Sequence, residues 1–80
     1  MSRQGLDGSP GVDLSVIVVT YNSRGLTLAC ATSVLAEQQA ASSQRLQIEL
    51  IVVDNGSTDG TAAAVQKATP QARVLVQRAN

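Results

Sequence analysis

Two apolar runs organise the chain. "LSVIVVT", Leu14 to Thr20, is β-branched and almost wholly apolar, and "LQIELIVVD", Leu46 to Asp54, becomes so toward its C-terminal end. Runs of this kind belong to strands buried on both faces, as in a parallel sheet. A shorter run, "ARVLVQR", predicts a third strand over 72–78. Between the first two the period changes. Leu28, Ala31 and Leu35 fall at i, i+3 and i+7, and Val34 widens the same side, which predicts a helix from Arg24 to Gln39. Thr32 takes the i+4 place and leaves the stripe imperfect. "TAAAVQKA" reads as a second, short helix whose alanines favour the helical state. It stops at Thr69-Pro70, because proline disfavours helical geometry in the residue before it.

Polar segments separate these elements. "YNSRG" is a turn in which Asn22 or Ser23 can cap the first helix. "AASSQR" is a polar break, and "NGSTDG" leads from the second strand to the second helix, with Ser57, Thr58 and Asp59 as candidate caps. Gly56 and Gly60 permit tight backbone paths there. The order is βαβαβ, with helical crossovers long enough for parallel pairing. Such crossovers are right-handed in nearly all cases, so both helices are expected on one face. The fold class is α/β, a three-layer-type, Rossmann-like parallel sheet. In such sheets ligands bind outside the carboxyl ends of the strands. That rule collects Thr20-Tyr21-Asn22, Asp54-Asn55-Gly56 and the segment 77–80 along one rim.

Composition narrows the function classes. Eighty residues allow one small domain, and the 44% hydrophobic content comes from aliphatic residues and alanine, with Tyr21 the sole aromatic. The core is therefore thin. Formal net charge is zero and no basic stripe appears, so the footprint of a nucleic-acid binder is absent. With no histidine, imidazole zinc sites and histidine-based triads are excluded. Cys30 is the only cysteine, which excludes an internal disulfide and favours a reducing compartment. It lies mid-helix among small residues and reads as packing. Residues 1–12 hold three glycines and a proline and read as a flexible leader, without the apolar segment of a secretory signal. No run of about 18 apolar residues is present. A soluble, cytoplasmic protein is expected.

The rim residues have two readings each. Asp54, an acceptor when ionised, suits ribose hydroxyls or the N–H of a nucleobase; equally, it suits the capping of its own turn. Position leaves the two level. Tyr21 in a loop can stack on a base, worth about 1–3 kcal/mol, or cover the sheet end, which position alone slightly favours. Asp59 fits capping better than ligand contact. Arg24 and Arg78 near the rim could meet a phosphate, although such arginines are commonly just solvated.

Several sharper motifs fail. The turn after the first strand, "TYNSRG", is not the G-x-G-x-x-G of dinucleotide binders, and no phosphate-binding G-x-x-x-x-G-K-[ST] occurs. Residues 55–66 only faintly match a calcium loop: Asn55 fills the first place, Gln66 replaces the bidentate glutamate, and a strand precedes it. Asn55-Gly56-Ser57 fits a glycosylation sequon that a cytosolic chain would not use.

Together, "SVIVVTYNSRGLTLACATSVLAEQ" and "ELIVVDNGSTDGT" resemble the opening of a family 2 glycosyltransferase of the GT-A fold. That family has a strand ending in T-Y-N, a helix with a serine-leucine segment (here Ser33-Val34-Leu35), and I-V-V-D-[DN]-G-S-x-D-[GN]-[ST]. The match is detailed over 14–61 and looser to the end of the chain. By this resemblance the chain is the N-terminal βαβαβ part of a GT-A domain, spanning 13–80. Asp54 would hydrogen-bond the base of a nucleotide-diphospho-sugar donor, a UDP- or dTDP-sugar. Tyr21 would pack against that base, and Thr20 would contact the nucleotide. Asn22, Asn55 and Gly56 complete the implied donor site, with Asp59 structural or donor-adjacent. Asn55 stands where many members carry a second aspartate, a variation that resembles the rhamnosyltransferase-like branch. Asn80 would open the family's N-x-G segment.

The resemblance also implies a D-x-D motif for a divalent metal, Mg or Mn, and a distant carboxylate base. Neither is present, so no catalytic or metal-binding residue is assigned and the 80 residues alone are not expected to catalyse transfer. One sheet edge and the face opposite the helices are expected to lack cover, which invites self-association. Two other functions compete with the transferase fragment: a non-catalytic flavodoxin-like binding module, and a decayed, truncated reading frame.

Overall fold

The computed structural model describes residues 11–78. Its elements are β1 (Leu14–Thr20), α1 (Arg24–Ser42), β2 (Ile48–Asp54), α2 (Thr61–Ala68) and β3 (Arg73–Val76). The strands form one parallel sheet in the order β1-β2-β3. The expected Rossmann-like α/β arrangement is present, and its sheet order puts the carboxyl ends of all three strands on one edge. Most of the leader, residues 1–10, and Asn80 lie outside the described residues.

Side chains of one parity face the helices. Leu50 and Val52 of β2, Ala31 of α1, Val65 of α2 and Ala72 form the buried core, with Val16, Val18, Leu28, Val34 and Val74 packed around it. The cluster has no aromatic member, as the composition requires. The expected helical stripe packs on the core at Leu28, Ala31 and Val34, and Thr27 joins it. Thr27 and Ala31 are the buried positions of α1, whereas Leu28, Val34 and Leu35 are half-buried. Thr32 faces outward and returns its hydroxyl to the carbonyls of Leu28 and Ala29 at 3.0 Å each. Cys30 is exposed, not packed as expected. It neighbours Ala31 in sequence, but one residue is about 100° around a helix.

Among the described residues nothing covers the opposite face of the sheet. Register places Ile17 beside Ile51 and Arg73, and Val19 beside Val53 and Leu75. Ile17 is 62% and Val19 64% exposed, and Leu75 45%. Doubly buried β1, which the apolar run predicts, is therefore not what the described residues form: its cover is on the helix side only. The thin cover is that expected of this face.

Three boundaries differ from the sequence pattern, and each has a local cause. α1 continues through "AAS" to Ser42, since the alanines are strong helix formers. It ends where Arg45 turns left-handed at φ 61°. The Arg45 N–H donates to the Ser42 carbonyl and the Leu46 N–H to that of Ala41, both at 3.0 Å. These are the paired bonds of a Schellman motif, with arginine where glycine is usual. Leu46 is thereby tied to the helix, and β2 starts two residues late, at Ile48. β3 is confined to Arg73–Val76, inside its expected range.

Candidate functional site

At the carboxyl edge, Thr20 and Asp54 are register partners in β1 and β2, and the Asn55 N–H donates to the Thr20 carbonyl at 2.9 Å. The loops that follow, 21–23 and 55–60, therefore leave the sheet side by side. Gly56 at φ 87° and Gly60 at φ 80° supply the left-handed turns that fold the second loop back toward the first.

Side chains then stitch the loops together. Asn22 adopts φ 47°, a conformation that asparagine tolerates better than most residues. Its N–H donates to Ser57 Oγ at 2.8 Å, and its Oδ1 accepts the Thr58 N–H at 2.8 Å. Ser57 passes the chain of bonds on, with both its Oγ–H and its N–H donating to Asp54 Oδ1, at 2.5 and 3.0 Å. Asp59 caps two helices at once. Its Oδ2 accepts the Arg24 N–H of α1 at 3.1 Å, and its Oδ1 accepts the N–H (3.1 Å) and hydroxyl of Thr61 in α2.

This arrangement corrects the capping expectation for α1. Ser23 occupies the cap position but turns its hydroxyl back to the Tyr21 carbonyl at 3.0 Å. The cap comes instead from Asp59, across the loop. For α2, Gly60 holds the cap position, and of the three candidates Ser57, Thr58 and Asp59 it is Asp59, one residue earlier, that accepts the Thr61 N–H. Among the effects on Asp59, the Thr61 hydroxyl lowers its pKa most and partial burial pushes the other way. The N–H groups of Arg24 and Thr61 add to the lowering, and the net direction is below the ordinary 3.8. Arg24 also sends its guanidinium toward the Asp59 carbonyl, at 3.5 Å.

Asp54 differs from Asp59 in what it leaves over. The residue is only 2% exposed. All its side-chain bonds fall on Oδ1, yet no buried side-chain oxygen or nitrogen among the described residues lacks a partner. Oδ2 therefore keeps a small opening to the surface. Beside it, Tyr21 is 58% exposed and lies in a loop rather than in the core. Asn55 is exposed, and Gly56 half-buried. Thr20 is placed differently from its neighbours. Its hydroxyl shares a 2.6 Å bond with that of Thr27 beneath the sheet, facing α1 rather than the rim. Arg78 is exposed at the end of the described chain.

A hollow lies elsewhere. An open groove of about 640 Å³, lined by Leu35, Gln38, Arg45, Leu46, Ile48 and Glu49 among others, sits at the amino end of β2. It adjoins none of the rim residues. No helix of the described residues is long and apolar enough to cross a membrane. The described residues contain no group of three or more Cys, Asp or Glu that could hold a metal ion, so they do not fit the divalent metal that the resemblance implies. No step below is routed through one.

A parallel α/β sheet with a buried carboxylate and an exposed ring at its carboxyl edge has the layout of a Rossmann-like ligand-binding domain. Residues 15–80 match the family model for glycosyl transferase family 2. The chain belongs to that glycosyltransferase family. No curated protein and no solved structure gave a match.

Proposed function

We propose that the carboxyl edge of this sheet binds the nucleotide part of a nucleotide-diphospho-sugar, a UDP- or dTDP-sugar, whose sugar is transferred to an acceptor hydroxyl. The observation that carries the proposal is Asp54: a buried carboxylate with Oδ1 committed to Ser57 and no side-chain bond on Oδ2. Such an acceptor suits the N–H of a base. Tyr21 offers a ring for stacking, with Asn22, Asn55 and Gly56 around it. Thr20 holds the base of the Tyr21 loop from below, through Thr27. Asp59 fixes the two helix starts that carry both loops. A hexosyl or rhamnosyl donor is the class that the Asp54-Asn55 pair favours, by its likeness to the rhamnosyltransferase-like branch. A cytoplasmic location, where such donors are available, belongs to the same proposal.

Titration of the chain with UDP and dTDP tests this directly. Binding is expected for at least one of them, with a loss of about tenfold or more in Asp54→Asn, the size of one hydrogen bond to a charged acceptor. Equal binding by both proteins would remove Asp54 from the site.

The bare sheet face supports a second proposal: that copies of the chain associate through it. β1 is an edge strand among the described residues and carries exposed Ile17 and Val19, while Leu75 of β3 is exposed on the same face. Glu49 and Arg73 share this face and carry opposite charges, so a two-fold copy can set them against each other. Sedimentation is expected to show concentration-dependent association that an Ile17→Lys, Val19→Lys double variant abolishes. A wild-type chain that stays monomeric would contradict it.

A further inference from the structure

We infer that Ser57 is a positioning residue that fixes which hydrogen-bonding pattern Asp54 can receive. The inference rests on Asp54 as the base-binding group.

A free carboxylate has about four lone-pair sites on two oxygens and accepts two parallel donors well. Asp54 is not free. The left-handed turn at Gly56 brings Ser57 back over the strand end, so that its N–H and Oγ–H converge on the same oxygen. Oδ1 is filled, and the carboxylate plane is held by two bonds from one residue. Ser57 Oγ is itself held, because it accepts the Asn22 N–H. The orientation of Asp54 is thus tied to the loop that carries Tyr21. One acceptor atom, Oδ2, is left for a ligand.

A single acceptor discriminates among bases. The imide of uracil or thymine presents one N–H between two carbonyls and needs one acceptor. Guanine presents two adjacent donors and is best served by both oxygens of a carboxylate. By filling Oδ1, Ser57 favours the first pattern over the second. Without its hydroxyl, Oδ1 keeps only the backbone N–H, the carboxylate can rotate, and paired donors gain access.

The test is calorimetric titration with UDP and GDP on the wild-type chain and on Ser57→Ala, Ser57→Thr and Ser57→Cys, with circular dichroism to confirm folding. The wild type is expected to prefer UDP by about tenfold, the scale of one hydrogen bond to a charged acceptor. Ser57→Ala and Ser57→Cys, which remove or weaken the donor, are expected to shrink that preference to about threefold or less, while Ser57→Thr retains it. If Ser57→Ala fails to fold, Cys against Thr gives the same comparison. An unchanged ratio in Ser57→Ala and Ser57→Cys, with UDP still bound, would overturn the role of Ser57 and leave Asp54 in place. A wild-type chain that binds neither nucleotide would overturn the base-binding reading and this inference with it.

Discussion

The two ends of the sheet are closed by different means. At the amino end the backbone does most of the work. A Schellman turn closes α1, and the Asp13 N–H donates to the Gln47 carbonyl at 2.9 Å. Side-chain bonds run from the Gln47 N–H to Asp13 Oδ2 and from Gln38 to the Ile48 carbonyl, both at 2.8 Å, and from Ser15 Oγ to Glu49 Oε1 at 2.7 Å. At the carboxyl end, side chains carry the closure: Asn22, Ser57, Asp59 and Thr61 bridge two loops and two helix starts. The amino end has an open groove, and the carboxyl end has the buried carboxylate and the exposed ring. Backbone closure tolerates many sequences, whereas side-chain closure requires particular residues. A run of specific small polar residues after β2 is the visible cost of that requirement, and Asp54 Oδ2 is the acceptor it leaves available.

The strongest way to break the difference is at Asp59. Asp59→Ala removes the N–H acceptors of both α1 and α2, and it is expected to lower the melting temperature more than any single substitution at the amino end. The same group gives the carboxyl end a pH dependence. Its folded pKa lies below the unfolded value, so its stabilisation is complete above the unfolded value and is lost as pH falls through the folded one. Melting curves are expected to fall on that acid limb in the wild type, and less steeply in Asp59→Asn. An identical acid limb in both would show that the double cap does not contribute.

A smaller effect is expected beneath the rim. Thr27→Val leaves the buried Thr20 hydroxyl without its partner and is expected to cost about 1–3 kcal/mol, measured by urea unfolding. Replacing both threonines by valine is expected to recover much of that loss. The smallest effect belongs to the amino end and has the opposite sign. Arg45→Gly relieves a left-handed conformation that costs other residues about 1–2 kcal/mol. Glycine's greater unfolded-state freedom takes back about 0.5–1 kcal/mol. A net gain of about 0–1.5 kcal/mol is expected from these two terms. A destabilised Arg45→Gly would mean that the arginine side chain matters there.

Much of the fold was legible because its signals are local. The limits of β1 follow from an apolar run with a polar turn after it, and those of α2 from alanines ended by Thr69-Pro70. The end of α1 was not legible, since its stop is a left-handed arginine and neither glycine nor proline marks it. Cys30 was misplaced, and Thr27 went unremarked, for a related reason. A stripe read from the large aliphatics hides that Thr27, paired with Thr20, is the buried member of its turn. At the site, motif order identified Asp54 and the loops beside it. The double cap by Asp59 and the bridge through Ser57 join residues 35 apart in sequence, so no local pattern announces them.

The central claim is that Asp54 offers one acceptor to a nucleotide base. The most direct measurement is calorimetric titration of UDP and dTDP into the wild-type chain and Asp54→Asn, both confirmed as folded. Binding to the wild type that weakens about tenfold or more in the variant is the expected result. Nucleotide binding that is indifferent to Asp54, or absent from a folded wild-type chain, would contradict it.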